Sequence, residues 1–571
     1  MNYDVAIIGG GPAGSTCGGL LKKYNPSLKV AIFEREEFPR DHVGESQLPM
    51  ISGVLDELGV WDKVEAANFP IKVGATYRWG TSDDLWDFNF LSGAELKDEP
   101  RPAKFEGQRT KTAFQVDRAI YDTILLDHAR ELGVEVRQPT QVREINCTGD
   151  KIDNLVLESG EVVTARYYID GSGNSALLRR AVGVKVEEPS NLKNIAIWDY
   201  WQNAEWAVNI GVGGTRVQVM SLGYGWIWFI PLGPTRTSIG FICPADYYKQ
   251  SGLKPEELLL KAIAEEPRIR ELTKNGTREG KLSTTKDWSF IAERMAGENW
   301  LIVGEAAGFA DPILAAGMSL AHSTAREAAY TILEADLTGN KDWLLRQYER
   351  SNRRKILQHI RFADYWYSAN AHFSDLKQYT SEIAKDAGLE LDAEAAFQWL
   401  GTGGFVETDM TVGGIALFSL GGISLITKRL SAKPPETMVD GKSVFLLNLR
   451  DAEPVENAYY HEGRVLRIPG FRRNGKTLPM VGTFAWVVEG LKQSPQLDVA
   501  ASYIQKEMAK TGQVYNAAFH ANLVETLEAM TRDGWVKAKA YDGATPIVAD
   551  FSKDNGFIQN NTDPAPGALK A

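Results

Sequence analysis

Gly9, Gly11 and Gly14 stand between an apolar run at 5–8 and a helix-compatible stretch ending near Tyr24. A second apolar run at 30–33 follows, and Glu34 closes it twenty residues after Gly14. Each part has a physical use. Glycine lets a backbone turn tightly and lets a phosphate approach it, the free N–H groups that open a helix attract an anion, and a carboxylate ending the second strand can accept both hydroxyls of a ribose. GxGxxG alone is a weak signal. Strand, helix and acid together make it a dinucleotide site, with NAD and FAD both open. Two further groups could do chemistry: Lys72 in KVGATYRWG at 72–80, and Trp226 and Trp228 in GWIWFIP at 225–231. On these residues alone Lys72 also reads as a solvated loop lysine, and the tryptophans as alternate positions on one face of a core strand.

The elements that must position these residues follow from periodicity. The runs at 5–8 and 30–33 are continuous apolar strands of the kind a parallel sheet buries on both faces, and with the helix between them they form a βαβ unit. A helix is predicted over 117–132, with Asp117 at its start and Ile120, Ile124, Leu125, Ala129 and Leu132 as its apolar face. Strands are predicted at 134–136, 152–157 and 161–169. Residues 94–111 are charged and carry two prolines, which predicts an excursion over the surface. Five of the fifteen tryptophans fall between 198 and 228, which suits either a sheet facing an aromatic-lined cavity or a Trp-rich core. The pattern changes after residue 380, and a domain boundary is placed near 375–400. A core at 1–385 and a mainly helical C-terminal domain at 386–571 result. Two helical patterns and a strand over 498–545 suggest a winged-helix-like unit, and the Asn, Pro and Gly content of 552–571 predicts a frayed tail.

The 571 residues carry 63 Lys and Arg against 74 Asp and Glu, a formal charge of −11 that disfavours nucleic acid and anionic lipid as partners. The winged-helix candidate has no Lys/Arg stripe, so packing is expected of it. Cys17, Cys147 and Cys243 are far apart with no CxxC spacing, so neither a disulfide framework nor a metal site is expected. With no export signal at its start, a cytoplasmic location is expected. The long uncharged run at 410–427 holds four glycines and is read as a buried segment, leaving no membrane span. Self-association is left open.

Later segments decide between the dinucleotides. RDHVGES at 40–46 follows the second strand, Ile169-Asp170-Gly171-Ser172-Gly173 follows another, and Gly304-Glu305-Ala306-Ala307 closes an apolar run at 300–303. Together they resemble the distributed FAD-binding signature of the flavin monooxygenase superfamily, whose fold is similar to that of para-hydroxybenzoate hydroxylase. Within it, the WxWxIP string at 226–231 and the segment bearing Lys72 resemble the flavin-dependent halogenases over about residues 1–375.

The resemblance implies an α/β fold: a Rossmann-like, three-layer FAD-binding domain with segments at 1–50, 113–185 and 280–335, and a mixed-sheet substrate region at 60–112 and 190–280. FAD would be held by Gly9, Gly11, Ala13, Gly14, Glu34, Arg40, Ser46, Gln115, Arg118, Gly304, Glu305, Pro312, Gly317 and Met318. Glu305 replaces the aspartate usual in the third segment. The resemblance further implies that FADH2 and O2 turn chloride, bromide or iodide into hypohalous acid. Trp226 and Trp228 would keep organic substrate off the flavin, and Lys72 would pass halogen on, as a haloamine or as a hydrogen-bond donor. The acceptor would be an electron-rich phenol, pyrrole or indole, free or carrier-bound. Asp311–Gly317 (DPILAAG) resembles the halide loop, with backbone N–H groups near Ala316 and Gly317 as its donors. Leu314 stands where tryptophan halogenases carry glutamate, which points to a non-tryptophan branch. Ala315 and Ala316 stand where relatives acting on phenols or pyrroles carry Ser or Thr, which favours bromide and iodide. The fingerprint occurs once, and the glycines at 401–404 follow no apolar strand, so a separate flavin reductase is implied. Tyr365, Trp366, Tyr367, Phe373 and Trp399 could line a pocket or form a helix core. The alternatives are a single-component NAD(P)H-dependent aromatic hydroxylase and, more weakly, a flavin-binding regulatory protein.

Overall fold

Val5 to Ile8 and Val30 to Phe33 are buried along their whole length, and a parallel sheet is the arrangement that buries both faces of a strand. In the computed structural model, which describes residues 2–91, 95–97, 99–207, 213–286, 289–386, 430, 437–549 and 558–561, they lie at the middle of a five-stranded parallel sheet. Its order is Trp300–Ile302, Ala165–Asp170, Tyr3–Ile8, Val30–Phe33, Glu135–Arg137. The register pairs Ile8 with both Phe33 and Asp170, and Asp170 with Ile302. Gly9, Glu34, Gly171 and Gly304 therefore all leave the sheet at its carboxyl edge, where open α/β sheets bind ligands.

The helix Pro12–Tyr24 packs against Arg118–Glu131 and the long Ala316–Thr338. Asp117 caps Arg118–Glu131 by accepting from the Ala119 N–H. Its buried face is Tyr121, Leu125, Leu126 and Ala129, whereas Ile120 is exposed. Leu125 and Ala129 of the predicted stripe hold, while Tyr121 takes the core place expected of Ile120.

A second, mixed sheet of ten strands carries Asn194–Gln202, Arg236–Pro244, Gly225–Pro231, Gly214–Leu222, Ile71–Arg78 and Trp86–Asn89 in that spatial order. Neighbours are antiparallel except Gly214–Leu222 with Ile71–Arg78. The run expected over 94–111 ends in a 3-10 turn, Gly107–Lys111, that buries Gln108 and Arg109, so it is not wholly a surface excursion. Arg109 is ion-paired with Glu99, which lets a charged side chain go inside.

The chain divides into two compact units, Met1–Gly388 with Glu462–Arg464 and Gly556–Ala571, and Leu389–His461 with Val465–Asn555. Among its described residues the second unit combines helices with strands. Besides the helices Gly482–Gln493, Leu497–Lys510 and Ala517–Arg532, the C-terminal part holds the strands Val444–Leu447, Glu453–His461, Arg464–Arg473, Lys476–Pro479 and Val536–Lys539. The helices bury Val488, Ile504, Leu523 and Leu527 in one cluster with Phe445 and Trp535. Of the winged-helix candidate, the two helices and the strand form, but Val536–Lys539 pairs with Val444–Leu447, upstream of all three helices. The tail read as frayed contributes a strand, Ile558–Asn560, paired antiparallel with Trp86–Phe88. An edge strand offers unpaired backbone groups, and the tail satisfies them. Trp399, the glycines at 401–404 and the run at 410–427 lie outside the described residues. Among the described residues no helix is long and apolar enough to cross a membrane.

Candidate active site

The backbone conformation of the first turn is dictated by packing at two glycines and by nothing at the third. Gly9 takes a φ of +99°, and a Cβ there would lie 2.4 Å from the Gly171 carbonyl oxygen. A Cβ on Gly14 would lie 1.9 Å from the Gly9 carbonyl oxygen. Only glycine fits at either place. A Cβ on Gly11 would meet nothing nearer than Arg40 Nη2 at 3.5 Å, so the space above it is open to a ligand. The helix Pro12–Tyr24 begins there with no side chain capping its N–H groups, which leaves donors for a phosphate. Ala13, in that first turn, is buried against Gly304, where a Cβ would stand 3.1 Å from the Ala13 methyl.

Glu34 accepts the Gly10 N–H at 2.6 Å through Oε2 and the Glu36 N–H at 2.9 Å through Oε1. One lone pair on each oxygen remains for a ribose diol. Arg118 forms a fork with Asp122, at 2.7 and 2.9 Å, and donates to the Val43 carbonyl at 2.8 Å. Arg40 reaches the same Asp122 at 3.2 Å. Two guanidiniums are thus gathered by one fully buried carboxylate beside the cradle. Ser46 and Gln115 face each other across an antiparallel bridge, and the Ser46 hydroxyl and both ends of the Gln115 carboxamide are buried without a partner among the described residues. Orphaned polar groups cost about 1–3 kcal/mol each. Open space over Gly11, free helix donors and these orphans fit a bound dinucleotide with a polar ring system. Glu305 is half-buried in the turn Gly304–Ala306; desolvation pushes its carboxyl up, against the pull of the Arg118 charge.

The third segment continues into DPILAAG. Pro312 opens a 3-10 turn, Pro312–Leu314, which Asp311 caps by accepting the Ile313 N–H at 2.9 Å. Ala315 follows with a φ of +53°, a strained conformation for a residue with a Cβ. The helix Ala316–Thr338 then starts with no side-chain cap, so the N–H groups of Ala316, Gly317 and Met318 have no side-chain acceptor in this turn. A Cβ on Gly317 would press to 2.8 Å from Phe309 Cε2, which keeps this first turn bare.

The tryptophans and the lysine share one face of the mixed sheet. Lys72 pairs with Thr215, and on that same strand Val219 and Ser221, of the same parity, pair with Trp228 and Trp226. Four residues along and two strands across put Lys72 roughly 15 Å from Trp228, backbone to backbone. Lys72 is 2% exposed. Its ammonium donates to the Gln47 carbonyl at 3.0 Å and lies 5.4 Å from the Phe90 ring, and burial pushes it down to about 7. A solvated loop lysine is excluded by that position. Trp226 and Trp228 sit 6.2 Å apart, and their indole N–H groups donate to the Tyr367 hydroxyl at 2.7 Å and to Ser238 at 3.1 Å. Tyr367, Phe373 and Trp366 pack as rings on Trp79, and Trp366 also packs on Tyr77 and Trp86.

The sequence did not single out Glu45, Asp122, Tyr200 or Asp311, and it offered Tyr367 only as a pocket or helix-core aromatic. Glu45 is buried on the Tyr200 hydroxyl at 3.0 Å, and burial pushes it up to about 7. Glu45 and Asp311 stood inside quoted motifs, where a carboxylate among apolar and glycine residues was the available signal. Tyr200 carries no local signal, and Tyr367 only that of the aromatic cluster at 365–367.

Fold and cradle define a protein of the FAD binding domain family, whose model matches residues 2–363. The 1H-pyrrole-2-carbonyl peptidyl-carrier-protein chlorinase of Pseudomonas fluorescens is 33% identical over 393 residues, 66% of this chain and 86% of that protein. The corresponding brominase of Pseudoalteromonas luteoviolacea is 30% identical over 347 residues, 60% of this chain and 79% of that protein. This chain belongs to the flavin-dependent halogenases, and is an FAD-binding oxidoreductase of that family. The crystal structure of the flavin-dependent halogenase CmlS shares its fold across 96% of this chain and 98% of that one, with a TM-score of 0.71 at 23% identity.

Proposed function

We propose that this halogenase uses FADH2 from a separate reductase to make hypohalous acid, which Lys72 delivers to an electron-rich arene. The observation that carries the reading is the shared face: a buried lysine with no carboxylate partner among the described residues lies along one sheet surface from two adjacent tryptophans. When bound, reduced FAD supplies two electrons to O2, so that a halide and a proton end as hypohalous acid and water. Gly9, Gly11, Gly14 and the helix they open receive the pyrophosphate, Glu34 the ribose, and Arg40, Ser46, Gln115, Arg118, Gly304, Glu305, Pro312, Gly317 and Met318 the remainder of the cofactor. The N–H groups of Ala316 and Gly317 hold the halide, because an uncapped helix start offers an anion donors that no side chain has taken.

Trp226 and Trp228 wall the flavin side and exclude water and arene. The Lys72 amine, half neutral near pH 7, attacks the halogen of hypohalous acid; its N–H proton leaves with the hydroxide as water, and an N–halogen bond remains. The arene carbon takes the halogen and its displaced proton returns the amine. Leu314 in place of a glutamate argues against free tryptophan as acceptor. The test is incubation with FAD, a flavin reductase, NADH, each halide and a panel of phenols, indoles and free and carrier-bound pyrroles, followed by mass spectrometry. Product is expected from at least one arene. Hydroxylated product without halogen would overturn the reading.

Two expected outcomes follow from the same residues. Without the reductase, NADH and NADPH consumption stays at background, since one dinucleotide fingerprint serves FAD; rapid arene-stimulated oxidation by the chain alone would favour a hydroxylase. Activity should run iodide, bromide, chloride, because a site lacking a hydroxyl at Ala315 and Ala316 penalises the more strongly hydrated anion. Restoring a donor with Ala316→Ser should raise chloride over bromide by roughly 10- to 150-fold, the equivalent of one hydrogen bond to an anion. Equimolar competition reads this ratio directly and separates it from the easier formation of hypoiodous acid. A ratio unmoved by the serine would sink the site argument.

A further inference from the structure

The tryptophan wall and the halide loop come from distant parts of the chain, yet one hydroxyl touches both. Tyr367 is buried at the end of the helix Lys341–Ser368. Its oxygen accepts from the Trp226 indole N–H at 2.7 Å and from Asn194 Nδ2 at 3.4 Å, and it stands 3.2 Å from each Asp311 carboxylate oxygen. A phenol has one proton and two lone pairs. With both lone pairs taken, the proton goes to Asp311. Asp311 in turn accepts the Ile313 N–H at 2.9 Å, capping the turn that leads to Ala316 and Gly317, and Asn194 Nδ2 at 3.3 Å. Asn194 is fixed at its other end by the Tyr379 hydroxyl at 2.7 Å.

The helix end that presents Tyr367 is itself pinned to the sheet. The Trp366 carbonyl accepts from Trp79 Nε1 at 2.7 Å, and Asn370 Nδ2 donates at 2.7 Å to Ser221, the residue paired with Trp226. Tyr367 therefore does not follow either partner freely. Strain at Ala315 gives this tether a purpose: a non-glycine residue at positive φ persists only where the surroundings over-determine it, and the Asp311 cap is the nearest such constraint.

We propose that Tyr367 is a positioning residue that locks Trp226 to the Asp311–Gly317 loop, so that halide binding and the wall of the flavin site are set by one hydrogen-bond junction. The inference rests on reading that loop as the halide site. Tyr367→Phe keeps the ring and its packing on Trp79 and Phe373 and removes only the junction. Loss of the hydrogen bond that orients a buried carboxylate should then raise the apparent KM for bromide roughly tenfold or more. kcat should change less, FAD affinity should hold, and more of the O2 consumed should appear as hydrogen peroxide.

A second readout does not depend on turnover. In protein labelled with 5-fluorotryptophan, the resonance absent from Trp226→Phe is assigned to Trp226. It should move when bromide is added to the FAD-loaded wild type and stay still in Tyr367→Phe. In the Trp226→Phe background, Tyr367→Phe should add little to the loss of coupling, because the two residues act as one unit. Wild-type bromide KM and a bromide-responsive Trp226 signal in Tyr367→Phe would overturn the proposal while leaving the halogenase reading intact. A wild type that halogenates arenes but shows no Trp226 response to bromide would overturn it as well. A wild type that yields no halogenated product removes the loop assignment and the junction's role with it.

Discussion

Lys72→Ala is expected to lose arene halogenation by about 10²–10⁴-fold, the usual worth of a positioned proton-transfer or nucleophilic group, while reduced flavin is still reoxidised at the wild-type rate. The separation follows from place. Lys72 acts after hypohalous acid has formed, roughly 15 Å along the sheet face from Trp228. Mass spectrometry of the arene beside oxygen uptake measures both steps, and a variant that halogenates at the wild-type rate would reduce Lys72 to a buried structural lysine. The amine also sets a pH dependence. Burial pushes Lys72 down to about 7, so the neutral, nucleophilic fraction rises with pH through that value, and halogen transfer should rise with it and level off above. A decline through the same range would assign the ammonium, as a hydrogen-bond donor, instead. Stability also rises with pH, in the window above that value. The folded chain binds fewer protons than the unfolded chain between about pH 7 and the ordinary lysine value near 10.5, so the lysine destabilises the fold at neutral pH and its cost fades as pH rises across that window. Lys72→Met keeps the apolar stem, and is expected to be more stable than wild type at pH 7 by about 2–4 kcal/mol, with the gain shrinking towards pH 10. An inactive but more stable variant is what a functional buried charge predicts.

What could be read in the sequence is what the chain brings together locally. The turn from Gly9 to Glu34 is one βαβ unit, so its glycine spacing and its acid record the phosphate and ribose geometry within 34 residues. Trp226 and Trp228 could be placed on one face because strand parity is fixed by alternation. That Lys72 shares this face was not legible, since it depends on a parallel pairing with Gly214–Leu222 and an irregularity between Thr215 and Arg216. The junction at Tyr367 joins residues 226, 311 and 367 through tertiary structure alone. The strands Glu453–His461 and Arg464–Arg473 bury only Tyr460, Val465 and Gly470, so they carry no alternating apolar signal and do not stand out in the sequence beside the helices of that unit. The tail strand fails to announce itself for the same reason: its pairing is bought by the backbone of Trp86–Asn89, not by its own side chains.

The glycines of the first turn give a matched pair of outcomes. Gly11→Val is expected to fold as wild type does, because its Cβ points into open space with Arg40 Nη2 at 3.5 Å as the nearest atom, and its φ of −68° suits any residue. The branched side chain then occupies the volume the pyrophosphate must enter and screens the uncapped N–H groups of the helix Pro12–Tyr24. Losing two hydrogen bonds to a charged phosphate corresponds to about 3 kcal/mol or more, so FAD affinity should fall by roughly 10²-fold or beyond. Gly14→Ala should fail differently. Its methyl would meet the Gly9 carbonyl oxygen at 1.9 Å, and neither backbone segment can give way without moving the strand Tyr3–Ile8 or the helix. Overpacking of this kind costs about 1–3 kcal/mol, and the FAD-free protein itself should melt at a lower temperature. Thermal unfolding without cofactor and FAD titration by flavin fluorescence, run on both variants, read the two effects apart. Gly11→Val with unchanged FAD affinity would mean that the cofactor does not pass over this turn, and the assignment of Glu34, Arg40 and Arg118 around it would fall with it.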